Sequence, residues 1–176
     1  MQTVDKKLKS HDAWALFLSI GGGLCFGTSI GIIGGILGDE KFIGLSPSMR
    51  GVFSASAAYG IVIGSILPTF LSEIFGRKPM FIFAAFEAFI FTALISAMNS
   101  TAGCIIMRAL AGIGSGALSA TTPAYSAELA SDKWRGKFVG LIRVTTMGGV
   151  ALSQLINIPF NYVKNGWRWF GIGLIF

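Results

Sequence analysis

The run ALAGIGSGALSATTPAYSA, at residues 109–127, contains no charged side chain and is nearly as long as the helix of about 20 residues that crosses a bilayer core. Four more stretches have almost no charge. They are residues 13–37 and 51–72, which hold none, residues 79–107, which hold only Glu87, and residues 138–163, which hold only Arg143. The sequence therefore predicts five membrane-spanning helices, at about 13–37, 51–72, 79–98, 103–127 and 138–163.

The composition excludes an ordinary soluble domain. Of the 176 residues, 53% are hydrophobic and 12% are charged, about half the charged share of soluble proteins. The only histidine, His11, and the two cysteines offer no constellation for a metal or a reaction. We predict an all-α membrane bundle with no cofactor, no metal site and no enzyme activity.

A last apolar run, at residues 169–176 within an incomplete span at about 167–176, is too short to cross a bilayer. We therefore expect a truncated sixth helix, and a chain that is the amino-terminal part of a longer protein.

The basic residues predict the orientation. Eight lie on one side of the alternating spans and four on the other, which places the tail at residues 1–12 in the cytoplasm. The eight are Lys6, Lys7, Lys9, Arg77, Lys78, Lys133, Arg135 and Lys137. This excess favours anionic lipid headgroups over nucleic acid as a partner.

Small residues form a stripe on two of the predicted helices, where another helix could approach closely. We expect the two stripes to pack against each other, the alternative being that the glycines act as hinges. The stripes are Gly23, Gly27, Gly31 and Gly35 in the first helix, and Gly112, Gly116, Ala120 and Ala124 in the fourth.

Ionisable groups within spans are candidate functional residues, because a charge in hydrocarbon is costly. Arg108 begins the fourth span and could instead extend to water. Glu87 could be a proton site or a partner for the basic loop that follows the second span. Arg143 shares a helical face with Gln154, Asn157 and Asn161, which suggests either a wet path or simple interhelical hydrogen bonds.

Five motifs, in order along the chain, resemble those of the sugar porter family of the major facilitator superfamily. Each is weak alone, but together they cover nearly the whole chain from about Ala13. They are Phe26–Gly35, Leu71–Lys78, Arg108–Gly116, Pro123–Ala130 with Trp134–Gly136, and Gly166–Trp169.

The resemblance implies the first half of a transporter whose two six-helix bundles alternate access to a site between them. In that family, charges on the two cytoplasmic loops form an intracellular gate in the outward-facing state. The alternative is that these charges only set the topology. The matching residues are Glu73, Arg77, Lys78, Glu128 and Arg135.

Two departures from the family bear on the transported solute. Proton-coupled sugar porters carry in helix 1 an aspartate that pairs with the helix 4 arginine, and Ser29 and Arg108 stand at these positions here. Serine does not ionise, so the resemblance predicts facilitated diffusion unless Glu87 takes the coupling role. Arg143 stands where many sugar porters have a sugar-binding glutamine, and it adds a permanent charge. The candidate substrate-binding residues are Thr28, Ser29, Arg143, Gln154 and Asn157.

Three hypotheses follow. The first is facilitative uniport of a hexose or related polyol, in the plasma membrane and together with a carboxy-terminal bundle. The second keeps the superfamily but exchanges the cargo for an organic anion or sugar acid drawn by Arg143. The third is a truncated membrane protein that transports nothing.

Overall fold

The computed structural model describes residues 10–37, 46–98 and 100–160, and within these ranges the chain forms five α-helices and no strand. All five are long and apolar enough to cross a membrane, and α2 and α4 are the longest at 29 residues each. The expected all-α membrane fold is confirmed for this part of the chain, whereas the truncated sixth helix and Asn161 lie outside it. The helices are Ser10–Leu37 (α1), Pro47–Phe75 (α2), Arg77–Ala97 (α3), Thr101–Leu129 (α4) and Arg135–Phe160 (α5).

A single residue, Gly76, joins α2 to α3. Its φ of 86° lies in the left-handed region, which glycine enters without the steric clash of a Cβ atom. At the other end of α2, the Ser46 hydroxyl accepts a hydrogen bond from the Met49 N–H at 3.4 Å, and Pro47 takes the first helical position. The abrupt turn at Gly76 sets Arg77 beside the carboxyl end of α4.

The helices pack as two close pairs, α1 with α5 and α2 with α4, and α3 packs mainly on α4. Both pairs bring backbone against backbone. A methyl group built on Gly27 would lie 3.0 Å from the Cα of Gly149, and one built on Gly112 would lie 3.1 Å from the Cα of Gly60. Close approach of this kind supplies the van der Waals contact that holds helices together in lipid.

The expected pairing of the α1 glycines with the small residues of α4 is wrong. Gly31 faces Ser153 of α5, and Gly116 faces the backbone of Ile61 in α2. The reason is that α5 and α2 present small residues of their own, so four helices rather than two carry surfaces that allow close approach. Pattern within one helix identifies such a surface but not its partner.

The bundle buries small side chains and exposes large ones. Alanine, serine and threonine dominate the buried set, whereas Phe17, Tyr59, Phe70 and Ile74 are each more than 60% exposed. A soluble protein would bury these apolar rings and branched chains, but hydrocarbon solvates them. The chain is thus an integral membrane protein that crosses the bilayer several times.

Candidate functional site

The sequence-predicted residues fall into two regions of the bundle. One is the loop end, formed by the α2–α3 and α4–α5 connections, where the five gate candidates lie. The other is the membrane-spanning part of α1, α3, α4 and α5, which carries the candidate substrate-binding residues and the intramembrane charges.

Arg77 and Glu128 form an ion pair at the loop end. The Nε of Arg77 lies 2.7 Å from the Oε1 of Glu128, and the two side chains are 42% and 50% exposed. The pair ties the first residue of α3 to the last turn of α4. Because both partners are half in solvent, their attraction is modest and can be broken and reformed.

Arg135 acts on the end of α4 rather than on Glu128. Its Nε donates to the Ala127 carbonyl at 2.9 Å, and its Nη2 lies 3.4 Å from Asp132. A guanidinium at this position satisfies a carbonyl that the helix leaves free and complements the negative end of the helix dipole.

Glu73 and Lys78 are exposed, and neither forms an ion pair within the described ranges. Of the two acidic gate candidates, Glu128 alone therefore pairs with a basic side chain from another helix within the described ranges. Glu73 instead borders, together with Arg77, a cavity of about 140 Å³ between the ends of α2 and α4.

Asp12 is a residue that the sequence reasoning missed. It was assigned to a tail at residues 1–12, but α1 begins at Ser10 and Asp12 is 3% exposed. Its Oδ1 accepts a hydrogen bond from the Ser131 N–H at 2.9 Å, which fastens the start of α1 to the α4–α5 connection. The signal available in the sequence was an acidic residue in the first helical turn, where the helix dipole favours it.

A pair of hydroxyls continues this contact into the bundle. The Oγ atoms of Ser19 and Ser126 lie 2.6 Å apart, and both residues are fully buried. Together with Asp12, they hold α1 against α4 at the loop end.

Arg108 lies inside the bundle. Its side chain is 2% exposed, so the alternative that it extends to water is wrong. The Nη1 donates to the backbone carbonyl of Ser29 at 3.2 Å, whereas the Nε has no hydrogen-bond partner. The two residues that the resemblance links, Ser29 and Arg108, are thus neighbours across α1 and α4.

A cavity of about 220 Å³ surrounds this contact, and we call it the Arg108 cavity. Its polar lining consists of Ser29, Ser54, Thr92, Arg108 and Ser115, and the remaining walls are mainly aliphatic. A larger groove of about 590 Å³, bordered by Thr28 and Ser29, runs between α1 and α3. The hydroxyls of Thr28 and Ser29 both donate to the Cys25 carbonyl, at 3.0 and 2.9 Å.

The polar residues of α5 do not share one environment. Arg143 and Gln154 are exposed, whereas Asn157 is buried and its Oδ1 lacks a hydrogen-bond partner. The Nε2 of Gln154 donates to the Gly31 carbonyl at 2.9 Å, which is the interhelical hydrogen bond that the alternative reading expected. Contact of any of the three with a substrate stays a prediction.

Glu87 points at α4 and not at the basic loop. Its Oε2 is buried against Gly114 without a hydrogen-bond partner, whereas Arg77 of the loop binds Glu128. The expected pairing of Glu87 with the basic loop is therefore not found. A half-buried carboxyl group with one buried, unpaired oxygen is suited either to holding a proton or to binding a polar ligand.

The chain matches a family model described as "Sugar (and other) transporter" over residues 14–176. The D-xylose transporter of Levilactobacillus brevis is 32% identical over 163 residues, which cover 92% of this chain and 35% of that protein. The arabinose-proton symporter of Bacillus subtilis is 32% identical over 157 residues, which cover 84% of this chain and 34% of that protein. The chain thus spans about a third of the length of these curated relatives.

A solved structure shares the arrangement of the helices. It is a proton:xylose symporter of the major facilitator superfamily bound to 6-bromo-6-deoxy-D-glucose, which superimposes with a TM-score of 0.84 at 26% identity. The match covers 94% of this chain and 42% of that one.

Proposed function

The chain belongs to the sugar transporter family of the major facilitator superfamily, and from this premise we propose that it works as the amino-terminal bundle of a facilitative uniporter for a hexose or related polyol. Such a protein moves a solute down its gradient and catalyses no reaction. The proposed place is the plasma membrane, with the amino terminus in the cytoplasm.

The contact between Arg108 and Ser29 carries the proposal of uniport. In proton-coupled members of the family an aspartate in helix 1 pairs with the helix 4 arginine. Here the guanidinium of Arg108 binds the backbone carbonyl of Ser29, and the Ser29 side chain is a hydroxyl that does not ionise in the accessible pH range. Without a carboxylate at this position, the arginine lacks the proton-binding partner that those members have in helix 1.

The ion pair at the loop end supports an alternating-access mechanism. We infer that the Arg77–Glu128 pair helps to hold the cytoplasmic side closed, because it links α3 to α4. Both side chains are half exposed, so the pair can break when that side opens. Glu73, Lys78 and Arg135 would complete this gate against a second bundle. The close α1–α5 and α2–α4 pairs favour movement of the bundle as one body, with the second bundle moving against it.

Uptake of labelled hexose by cells that express the full-length gene product tests the uniport proposal. We expect uptake that a protonophore does not change, because no proton moves with the sugar. Ser29→Asp restores the family's carboxylate and should make uptake sensitive to the protonophore, whereas the neutral control Ser29→Asn should not. Strict dependence of the wild-type protein on the proton gradient would contradict the proposal.

Arg143 favours a second candidate, transport of an organic anion or sugar acid. Its side chain is exposed and forms no ion pair with any described residue, so its charge is available to a ligand. Arg143→Gln should then abolish anion uptake and spare or improve hexose uptake, while Arg143→Lys should retain part of the anion uptake. Anion uptake that survives Arg143→Gln unchanged would eliminate this candidate.

A further inference from the structure

Two residues that line the Arg108 cavity each carry a buried hydrogen-bond donor without a partner. One is the Nε–H of Arg108, and the other is the hydroxyl of Thr92, whose Oγ1 is buried and makes no hydrogen bond. Two of the other three hydroxyls of the lining are already used, since Ser29 donates to the Cys25 carbonyl and Ser115 to the Ala111 carbonyl. The third belongs to the half-buried Ser54. Buried hydrogen-bond donors in proteins are nearly always paired. Two unpaired donors on residues that line the same cavity therefore indicate that an acceptor binds there.

Within the part of the chain that the structure describes, no acidic side chain pairs with the charge at this cavity. The Arg108 guanidinium is 2% exposed, its one recorded acceptor is a neutral carbonyl, and it forms no ion pair with any described residue. Glu87, the carboxylate within the same group of helices, lies against Gly114 instead. A buried arginine is normally paired with an anion, because burial removes the water that would otherwise stabilise its charge.

We propose that the Arg108 cavity binds a small inorganic anion of the chloride class, held by the Nε–H of Arg108 and the hydroxyl of Thr92. The anion supplies the negative charge that the Ser29 side chain cannot. A water molecule would accept both hydrogen bonds but would leave the charge unbalanced. A sugar would meet mainly aliphatic walls, since the lining includes Ile30, Ile33 and Ile61.

The cavity, of about 220 Å³, has room for chloride, bromide or nitrate together with water. The anion is a resident of the bundle and not its cargo. The inference therefore stands or falls separately from hexose transport.

Thermal unfolding of the full-length gene product in detergent tests the inference. The anion is exchanged from HEPES to chloride at constant ionic strength. For a site with a dissociation constant of about 10 mM, about 150 mM chloride should raise the Tm by roughly 3 to 6 °C. Broadening of the ³⁵Cl NMR signal, reversed by bromide, reports the same site directly. If the Tm is the same in chloride as in HEPES, the inference is overturned.

Three variants separate this site from general salt effects. Thr92→Val removes one donor with little change in shape and should weaken chloride binding about tenfold. Ser115→Ala is the matched control, because its hydroxyl lines the same cavity but already donates to Ala111, and it should respond as the wild type does. Ser29→Asp supplies a carboxylate and should abolish the chloride response. The assignment is refuted if either Thr92→Val or Ser29→Asp responds to chloride as the wild type does. If one of these variants does not fold, the other still tests the site.

Discussion

Replacing Gly149 by alanine should force α1 and α5 apart, whereas the same change at the neighbouring Gly148 should not. A methyl group on Gly149 would lie 2.7 Å from the Leu24 carbonyl oxygen and 3.1 Å from the Cα of Gly27, where ordinary contact begins at 3.4 Å. The backbones must therefore separate by about 0.7 Å. A methyl group on Gly148 meets nothing within 4 Å.

The size of the effect follows from this displacement. A gap of about 0.5 to 1 Å removes a quarter to a half of each contact's dispersion energy, and overpacking costs about 1 to 3 kcal/mol. Alanine in a helix otherwise gains up to about 1 kcal/mol over glycine. At roughly 2 to 4 °C per kcal/mol, the Tm of Gly149→Ala should lie about 2 to 12 °C below that of Gly148→Ala, and Gly148→Ala should match or exceed the wild type.

The measurement is thermal unfolding of the full-length gene product in detergent, followed by fluorescence-detected size exclusion. The two variants differ by one position on the same helix, so their intrinsic helix propensities cancel in the comparison. If Gly149→Ala proves as stable as Gly148→Ala, α1 and α5 do not meet along this face, and the packing described above is incorrect.

Three further predictions concern polar contacts. A double-mutant cycle of Arg77→Gln and Glu128→Gln should give a coupling of about 0.5 to 1 kcal/mol in the unfolding free energy, since both side chains are half exposed, and zero coupling would exclude the ion pair. Asp12→Ala should speed proteolysis of the α4–α5 connection by leaving the Ser131 N–H without its acceptor, whereas Asp12→Asn should not; equal rates would contradict this role. Glu87→Gln should leave the protonophore response of hexose uptake unchanged, and an altered response would identify Glu87 as a coupling group.

The sequence predicted the helices well because charge is so costly in hydrocarbon that charge-free runs mark spans directly. The resemblance also brought Ser29 and Arg108 together, and the structure places the guanidinium of Arg108 3.2 Å from the Ser29 carbonyl. Motifs succeed here because they record which residues of different helices lie close together, and this information is not present in the periodicity of any one helix.

The helix partners could not be predicted from the same signals. Small residues at intervals of four mark a helix surface that another helix can approach closely. Because α1, α2, α4 and α5 all have such a surface, the pairing depends on the loops and on the packing of the whole bundle. The prediction of a single polar face on α5 was incomplete for a similar reason. Helical periodicity places Gln154 and Asn157 on the same broad face of α5. The boundary of the contact with α1 crosses that face, so Gln154 is exposed and Asn157 is buried.

The length of α2 and α4 has a consequence for the charges at their ends. A helix of 29 residues extends about 43 Å, beyond a hydrocarbon core of about 30 Å, so the Arg77–Glu128 pair stands in the aqueous layer beside the lipid phosphates. Raising the ionic strength from about 0.01 to 0.15 M shortens the Debye length from about 30 to 8 Å. If the pair is the gate proposed above, the electrolyte and the anionic lipid on its side of the membrane would therefore adjust how readily the gate opens. An ion pair buried in the bilayer would not permit this.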